Sequence, residues 1–179
     1  MTLFLGALLL GGFLGFLSRG HLALPPLRHP WVFLLAVAWE GGLALLAAHG
    51  LLPGGLAGPL GQAGVYPLLA LGFATNWHLP PARLAAIGAL LNATVILANG
   101  GHMPVEPGAL RLAGLEGQEA FLRGAGDGLH VLAGEGTRLL LLGDWIPLAG
   151  RVVSPGDLVL AVALFLLPLA KPGENPPRA

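Results

Sequence analysis

The sequence contains no cysteine and few charged residues. Of its 179 residues, 10% are Asp, Glu, Lys or Arg, whereas a soluble globular domain carries roughly 25%. The absence of cysteine excludes disulfides, thiolate metal ligands and cysteine nucleophiles. The formal net charge is zero, so no basic tail or patch indicates a nucleic-acid partner. These absences favour a chain whose solvent is mainly lipid.

Apolar residues dominate what remains. They make up 55% of the chain, and the mean hydropathy is +0.76. Because about 20 mostly apolar residues span the hydrocarbon layer of a bilayer, the long apolar runs predict an all-α, polytopic transmembrane bundle. We expect a single integral-membrane domain over residues 1–179, with the lipid bilayer as its surroundings. The first apolar run has no positive residues before it, so it is expected to be a retained helix rather than a signal peptide.

Five segments are candidates for membrane spans. Their predicted bounds are 2–17, 31–48, 64–76, 81–99 and 155–170. The third is short and follows the Gly/Pro-rich stretch "LLPGGLAGPLGQAG", which is open to interpretation as a re-entrant or interfacial piece. The sequence therefore predicts about five spans, with four as the alternative.

The basic residues of the short loops predict the orientation. They occur in the first and third connections and in the C-terminal tail, at Arg19, Arg28, Arg83, Lys171 and Arg178. Lysine and arginine in short loops favour the cytoplasmic side. We therefore expect a multi-pass protein of the bacterial cell (inner) membrane with its N-terminus outside and residues 171–179 as a short cytoplasmic tail.

The same topology places residues 100–153 outside, as one long loop between the fourth and fifth spans. It carries four arginines against six acids and many glycines, and the glycines argue against long regular elements. Its stretch "ALRLAGLEGQEAFLRG" suits a broken amphipathic helix along the interface. The stretch "RLLLLGDWIPLAG" is apolar enough to contact the bilayer or cover the end of the bundle.

Two asparagines stand out in the fourth segment, within "NATVILANGGHMPV". Asn92 and Asn99 are seven residues apart, so they share one helix face. One interpretation is structural: Asn92 bonds across a helix contact, and Asn99 with Gly100 ends the helix in a left-handed cap. The other is a ligand-binding pair. Small residues that permit close helix contacts occur at Gly11, Gly15 and Gly88.

Glu40 lies near the middle of the second segment. An acid at that depth costs roughly 2.5–3.5 kcal/mol on insertion scales and is by default a functional hypothesis. A proton-coupled step would use a carboxyl whose pKa is raised by desolvation. The structural alternative is a protonated glutamic acid bonded to a neighbouring asparagine or carbonyl.

Four spaced motifs carry a family resemblance. From Asn76 to Leu167 the chain contains "NATVILANGGHMPV", "LHVL", "TRLLLLGDWIP" and "SPGD". Together they resemble an uncharacterised bacterial membrane family, domain of unknown function 5317. The resemblance covers about half of the chain, while the first two helices match only in general character. It implies a multi-pass membrane protein of unknown activity and assigns no catalytic residue.

The polar residues of these motifs are the remaining candidates. Ser154 and Asp157 fit the N-cap and N3 positions of a capping box around Pro155. Asp144 suits an Asx-type turn or an ion pair with Arg138. The candidate polar site comprises Asn92, Asn99, His130, Arg138 and Asp144.

No metal and no cofactor are predicted. His102 and His130 are far apart in sequence and lack the tight ligand pairs of zinc sites. The sequence also contains no G-x-S-x-G, H-E-x-x-H or phosphate-loop motif.

Three functional hypotheses follow from these residues. The leading hypothesis is a non-enzymatic transport, lipid-handling or complex-assembly module, with a homo-oligomer or a membrane-complex partner possible through the glycine-rich faces. The alternative is a membrane-embedded enzyme acting on a lipid or lipid-linked substrate at the outer surface, with His130 as general base and Asp144 or Asp157 as orienter or metal ligand. A purely structural or sensory role would use the outer loop as its contact surface.

Overall fold

The computed structural model describes residues 2–21, 24–124, 126–148 and 150–170, and the chain is mostly helical. Its helices are α1 Thr2–Arg19, α2 Trp31–Ala48, α3 Gly54–Ala74, α4 Pro80–Ala98, α5 Pro107–Leu112, α6 Glu116–Arg123 and α7 Pro155–Leu166. Four three-residue strands amend the all-α prediction: β1 Met103–Val105, β2 His130–Leu132, β3 Ile146–Leu148 and β4 Arg151–Val153. Strand β1 pairs with β2 in parallel, and β3 pairs with β4 antiparallel.

Three helices have the length and apolar composition needed to cross a membrane. They are α2, α4 and the Gly55–Ala74 part of α3. Two shorter apolar helices cover Leu3–Arg19 and Pro155–Leu169. Large apolar side chains are exposed along α1 and α2, among them Leu9, Phe13, Leu34 and Val37. Continuous apolar surface of this kind marks a membrane or protein contact.

The prediction for the third segment is wrong in its start. Helix α3 begins at Gly54 and runs for 21 residues, with Pro59 and Pro67 inside it. The Gly/Pro-rich stretch, interpreted as a possible re-entrant piece, is therefore mostly helical. Helix propensities measured in water penalise glycine and proline, but in lipid a spanning backbone must satisfy its own hydrogen bonds, and neighbouring helices help to re-satisfy the groups that proline frees.

The apolar helices pack in the order α2, α3, α4, α7, α1, so that α1 and α2 lie at the two ends of the series. The predicted small residues lie at these contacts. A β-carbon on Gly11 would collide with the Phe165 carbonyl of α7, and one on Gly88 would lie 2.8 Å from the Gly156 carbonyl. Glycine at these positions lets α7 approach α1 on one side and α4 on the other.

Three arginines lie at one end of the bundle. Arg19 donates to the carbonyls of Pro168 and Ala170, so α1 and α7 end together and run parallel. The backbone of Arg28 is held by the buried amide of Asn76, at 2.6 Å from its N–H and 3.0 Å from its carbonyl. Arg83, in the first turn of α4, donates to the Trp77 carbonyl at 2.6 Å.

The described residues of 100–153, called the outer segment because they lie outside the helix bundle, cover its opposite end. The stretch predicted as a broken helix forms α5 and α6. Arg111 of α5 donates to Glu119 of α6 at 2.9 Å and so joins the two helices, while Arg123 donates to the same carboxylate at 2.7 Å from within α6. A 3₁₀ turn at Leu140–Leu142 contacts α4 and α7. The apolar stretch "RLLLLGDWIPLAG" is expected either to contact the bilayer or to cover the end of the bundle. The contacts of its 3₁₀ turn place it over the end of the bundle.

The α1–α7 contact yields a prediction. Gly11→Ala should lower the unfolding temperature of the detergent-solubilised protein, because overpacking a tight contact typically costs about 1–3 kcal/mol. Gly6→Ala, on the same helix with nothing within 4 Å of its added carbon, is the matched control and should leave that temperature unchanged or raise it. Equal effects of the two substitutions on thermal unfolding would contradict the close contact.

Candidate functional site

The buried amide of Asn92 joins α4 to the start of α7. Its Nδ2 donates to Asp157 Oδ1 at 2.7 Å, and its Oδ1 accepts the Ser154 hydroxyl at 2.9 Å. Ser154 and Asp157 also form a capping box, in which each side chain accepts the other residue's backbone N–H at 2.9 and 3.4 Å. Asn92 and Ser154 are fully buried. The structure thus places Asn92 at an interhelical contact, with the helix cap as its partner.

Asn99 lies in a different place, at the C-cap of α4. Its side chain donates to the Arg138 carbonyl at 2.8 Å and accepts the Arg138 N–H at 2.9 Å. Gly100 follows with a φ of +69°, the left-handed conformation that ends many helices. Asn99 and Arg138 line an open cleft of about 450 Å³ together with His102 and Thr137. This amide pairs with backbone from the outer segment, not with Asn92.

His130 is held between two carboxyl groups of the outer segment. Its Nδ1 lies 2.7 Å from Asp127 Oδ2, and its Nε2 lies 3.9 Å from Asp144 Oδ2. Asp127 Oδ1 also accepts the backbone N–H groups of Leu129 and His130 at 2.8 Å each. Asp127 was not among the predicted site residues. The local signal for it is "DGLH", since aspartate often bonds backbone two residues on and supports a turn.

Asp144 is the most buried acid of this group. It is 6% exposed, and its Oδ1 has no hydrogen-bond partner among the described residues. Burial, with a smaller contribution from the negative charge of Asp157, raises the pKa of Asp144 to about 8. Its backbone continues the β1 ladder, accepting from Glu106 at 2.8 Å and donating to Pro104 at 2.9 Å.

The predicted partners of Asp144 are therefore wrong. Its side chain forms neither an Asx-type turn nor an ion pair with Arg138, within the ranges that the structure describes. The reason is the backbone pairing of Asp144 beside β1, which directs its carboxyl towards His130. The backbone of Arg138 pairs with the Asn99 side chain instead.

The Asp127–His130–Asp144 arrangement has the parts of an acid–base site. Desolvation acts to raise the pKa of Asp127, but the hydrogen bonds from the backbone and ring of His130 outweigh it and lower that pKa. A charged carboxylate on Nδ1 fixes the ring and leaves Nε2 to exchange a proton, as a general base requires. Next to it lies a cavity of about 100 Å³, lined also by Gln118 and Arg151.

The five predicted polar residues do not converge on one cavity. His130 lies with Asp144, Asn99 with Arg138, and Asn92 with the helix cap. No group of three or more His, Cys, Asp or Glu residues able to hold a metal ion is found in the described part of the chain. His102 lines the Asn99 cleft and is not among the residues that line the cavity beside His130.

Glu40 lies at a second cavity, between the apolar helices. This pocket has a volume of about 390 Å³ and is lined by residues of α1, α2, α3 and α7: Phe4, Glu40, Gly61, Gln62, Val65, Tyr66, Leu69, Phe73, Leu160 and Leu164. The Glu40 side chain is exposed and makes no hydrogen bond with any described residue, so the asparagine or carbonyl partner of the structural alternative is not found among them. Helix α1 packs on α7 and α2 packs on α3, while α1 and α2 contact each other little, so the pocket lies between two helices that are not closely packed.

Comparisons with known proteins identify a family but no activity. Residues 25–169 match the family of unknown function DUF5317, so the match extends well beyond the second half and leaves out residues 1–24, which include α1, and residues 170–179. An uncharacterized protein of Thermotoga maritima is 34% identical over 112 residues, which are 60% of this chain and 61% of the relative. The chain thus spans about 61% of that relative's length. No solved structure matches.

The buried Asp144 yields a prediction about pH. Its pKa is about 8 in the folded chain and about 3.9 in an unfolded one. Between these values the folded state retains a proton that the unfolded state releases, so the free energy of unfolding falls as pH rises from about 4 to 8 and levels off above. Asp144→Asn should reduce this loss and raise the unfolding temperature at pH 8 by roughly 5 °C.

The measurement is thermal unfolding of both proteins at pH 5 and pH 8.5. Because His130, Asp157 and Arg151 surround Asp144, His130→Asn is included to separate the contribution of the ring. Glu135→Gln, an exposed acid of the same segment, controls for loss of one negative charge. An unchanged pH dependence in Asp144→Asn would show that this carboxyl is not the buried proton carrier.

Proposed function

The chain belongs to the family of unknown function DUF5317, and we propose that it is a multi-pass protein of the bacterial cell membrane that binds a lipid-like molecule in the Glu40 pocket. The observation that carries this proposal is the pocket itself: about 390 Å³, mostly apolar in its lining, and bordered by α1 and α2, which contact each other little. In this proposal its entrance lies between these two helices. Small-molecule sites are typically 300–1,000 Å³, apolar, and provided with a few polar groups that orient the ligand.

Five helices form the membrane-spanning part in this proposal. Helices α2, α3 and α4 have the required length, and α1 and α7 are apolar and somewhat shorter, with α7 extended by a 3₁₀ turn at Leu167–Leu169. The N-terminus is outside and the C-terminus inside. Support comes from Arg19, Arg28 and Arg83, which lie together at the end opposite residues 100–153, as positive charges on the cytoplasmic side do. The proposed tail, 171–179, is outside the described residues.

The route into the pocket favours a membrane lipid over a water-soluble ligand. Helices α1 and α2 contribute Phe4 and Glu40 to the pocket and expose large apolar side chains elsewhere, including Leu5, Leu9, Leu35 and Val37. A hydrocarbon chain can move sideways from the bilayer between them without contacting water, and burying it gains about 0.8 kcal/mol per methylene. Transport or lipid handling follows from such a site, because the occupant exchanges with the surrounding membrane.

Filling the pocket tests the proposal. Gly61 lines it, and a β-carbon there meets nothing within 4 Å, so Gly61→Phe should occupy the space without disturbing the helices. Membranes carrying the protein are incubated with a neutral monoacylglycerol that has a photoreactive acyl chain, irradiated and extracted with non-ionic detergent. We expect labelling of α3 and α7 in the wild-type protein, and at least a several-fold loss of that labelling in Gly61→Phe.

Gly41→Phe is the matched control. Gly41 is also a helix glycine with nothing within 4 Å, but it does not line the pocket, so its labelling should equal that of the wild type. Equal labelling of all three proteins, or label spread evenly over the lipid-facing helices, would reject a lipid site in the pocket.

A second function is favoured by one specific observation, the position of His130 between Asp127 and Asp144. In this proposal Asp127 holds the ring while Nε2 takes the proton of a water molecule or hydroxyl group whose oxygen bonds to the acyl carbon of a lipid-linked ester at the outer surface. The ester C–O bond then breaks, and the proton passes from Nε2 to the departing alcohol oxygen. The small adjacent cavity of about 100 Å³ admits only the reacting group, which leaves the apolar part of the substrate in the membrane.

Complementation of a deletion strain separates the two functions. His130→Asn should abolish complementation if the histidine is a base, at unchanged protein level and unfolding temperature, because an amide cannot take up the proton. His102→Asn, in the separate Asn99 cleft, should complement fully. Full complementation by His130→Asn would exclude the enzymatic proposal and leave the lipid-binding one standing.

A further inference from the structure

We propose that the occupant of the Glu40 pocket is an amphiphile with a positively charged amino head group, which pairs with the Glu40 carboxylate. This inference rests on the proposed function, since it concerns the same pocket. It adds the chemical class of the ligand, which follows from the charge, the polarity gradient and the length of the cavity.

Glu40 is an acid for which the described chain provides no partner. It lies in the middle of α2, and no Lys, Arg or His is among the residues that line its pocket. No described residue donates a hydrogen bond to its carboxyl. Glu40 is exposed in the chain alone, and it lies on the same face of α2 as the buried residues Val32 and Ala36. In the membrane proposed above, an unpaired charge at this depth is strongly disfavoured unless something pairs with it. Because the protein does not supply that cation, a ligand that does is stabilised by it.

The polar and apolar groups of the pocket lie at opposite ends. Gln62, Tyr66, Leu69 and Phe73 are spaced as one face of α3, and this face changes from polar to apolar along the helix. Trp39 Nε1 donates to the Leu60 carbonyl at 3.0 Å, which places neighbouring Glu40 at the level of Gln62. The head-group end is therefore defined by Glu40 and Gln62, nearer the outer surface.

The apolar end suits an alkyl chain. From Gln62 to Phe73 the face of α3 extends about 16 Å at 1.5 Å per residue, with Leu160 and Leu164 of α7 on its other side. At the far end the lining residue Phe73 packs edge-to-face against Phe33, with ring centroids 4.9 Å apart. A single medium-length chain fits between the carboxylate and the aromatic pair, with its amine at Glu40.

Competition with the photoreactive monoacylglycerol tests the head group. Dodecylamine, which is cationic at pH 7, 1-dodecanol, which is neutral, and laurate, which is anionic, share one chain length. We expect dodecylamine to displace the label from the wild-type protein at about tenfold lower concentration than dodecanol, the effect of one charge-assisted hydrogen bond. Laurate should be the weakest, because its carboxylate faces that of Glu40.

Glu40→Gln should reduce the difference between dodecylamine and dodecanol to within about twofold, because the amide retains the size and loses the charge. Glu40→Asp retains the charge on a shorter side chain and should preserve part of the preference, which provides a second variant if Glu40→Gln folds poorly. Glu116→Gln, an exposed acid at the start of α6, is the control and should leave the preference unchanged.

The outcomes distinguish the two proposals. If dodecylamine and dodecanol compete equally in the wild type, or laurate competes best, the cationic head group is wrong, while loss of label in Gly61→Phe still supports the pocket. If Gly61→Phe keeps the label, the lipid site in the pocket is rejected, whatever the competition results show about the head group. A preference for dodecylamine that persists in Glu40→Gln would show that the amine is recognised elsewhere.

Discussion

The antiparallel contact of α4 with α7 is the interaction on which the rest of the structure depends. Gly88 and Gly156 let the two backbones approach closely, and Asn92 bonds across the contact to the Ser154–Asp157 capping box. A helix cap usually satisfies only the helix that it begins, but here the cap also fixes a second helix. The outer segment leaves α4 at Asn99 and returns at Ser154, so this contact sets the geometry of everything between them.

Features that depend on neighbouring residues could be predicted from the sequence. The apolar segment at 31–48 coincides with α2, the SPGD motif forms a capping box, and Gly100 adopts the left-handed conformation after α4. Each rests on a pattern within one or two helical turns. The start of α3 could not be predicted in this way, because glycine and proline propensities measured on isolated helices in water do not describe a helix that packs between α2 and α4.

The candidate site was less accessible to sequence reasoning because its contacts are long-range. Asn99 pairs with backbone 39 residues away, and His130 meets Asp144 only because the short strands bring both beside β1. No spacing rule connects such positions. Asp127 is the exception, since it lies three residues before His130 and bonds it locally. An aspartate–glycine pair usually indicates only a turn, so the sequence alone does not identify Asp127 as a partner of the histidine ring.

The two unusual acids of this chain differ in what surrounds them. Asp144 is enclosed by protein, so its charge is suppressed by burial; Glu40 is open to a cavity between helices that do not close on each other. If α1 packed against α2, the bundle would be complete and Glu40 would have no role facing its interior. With the gap present, the apolar walls lack packing partners and the carboxyl lacks a cation. Side chains next to empty space lose dispersion contacts. The missing apolar contacts and the missing cation are therefore both found at the Glu40 pocket. One amphiphile corrects both, since its chain packs against Leu69 and Phe73 while its head pairs with Glu40.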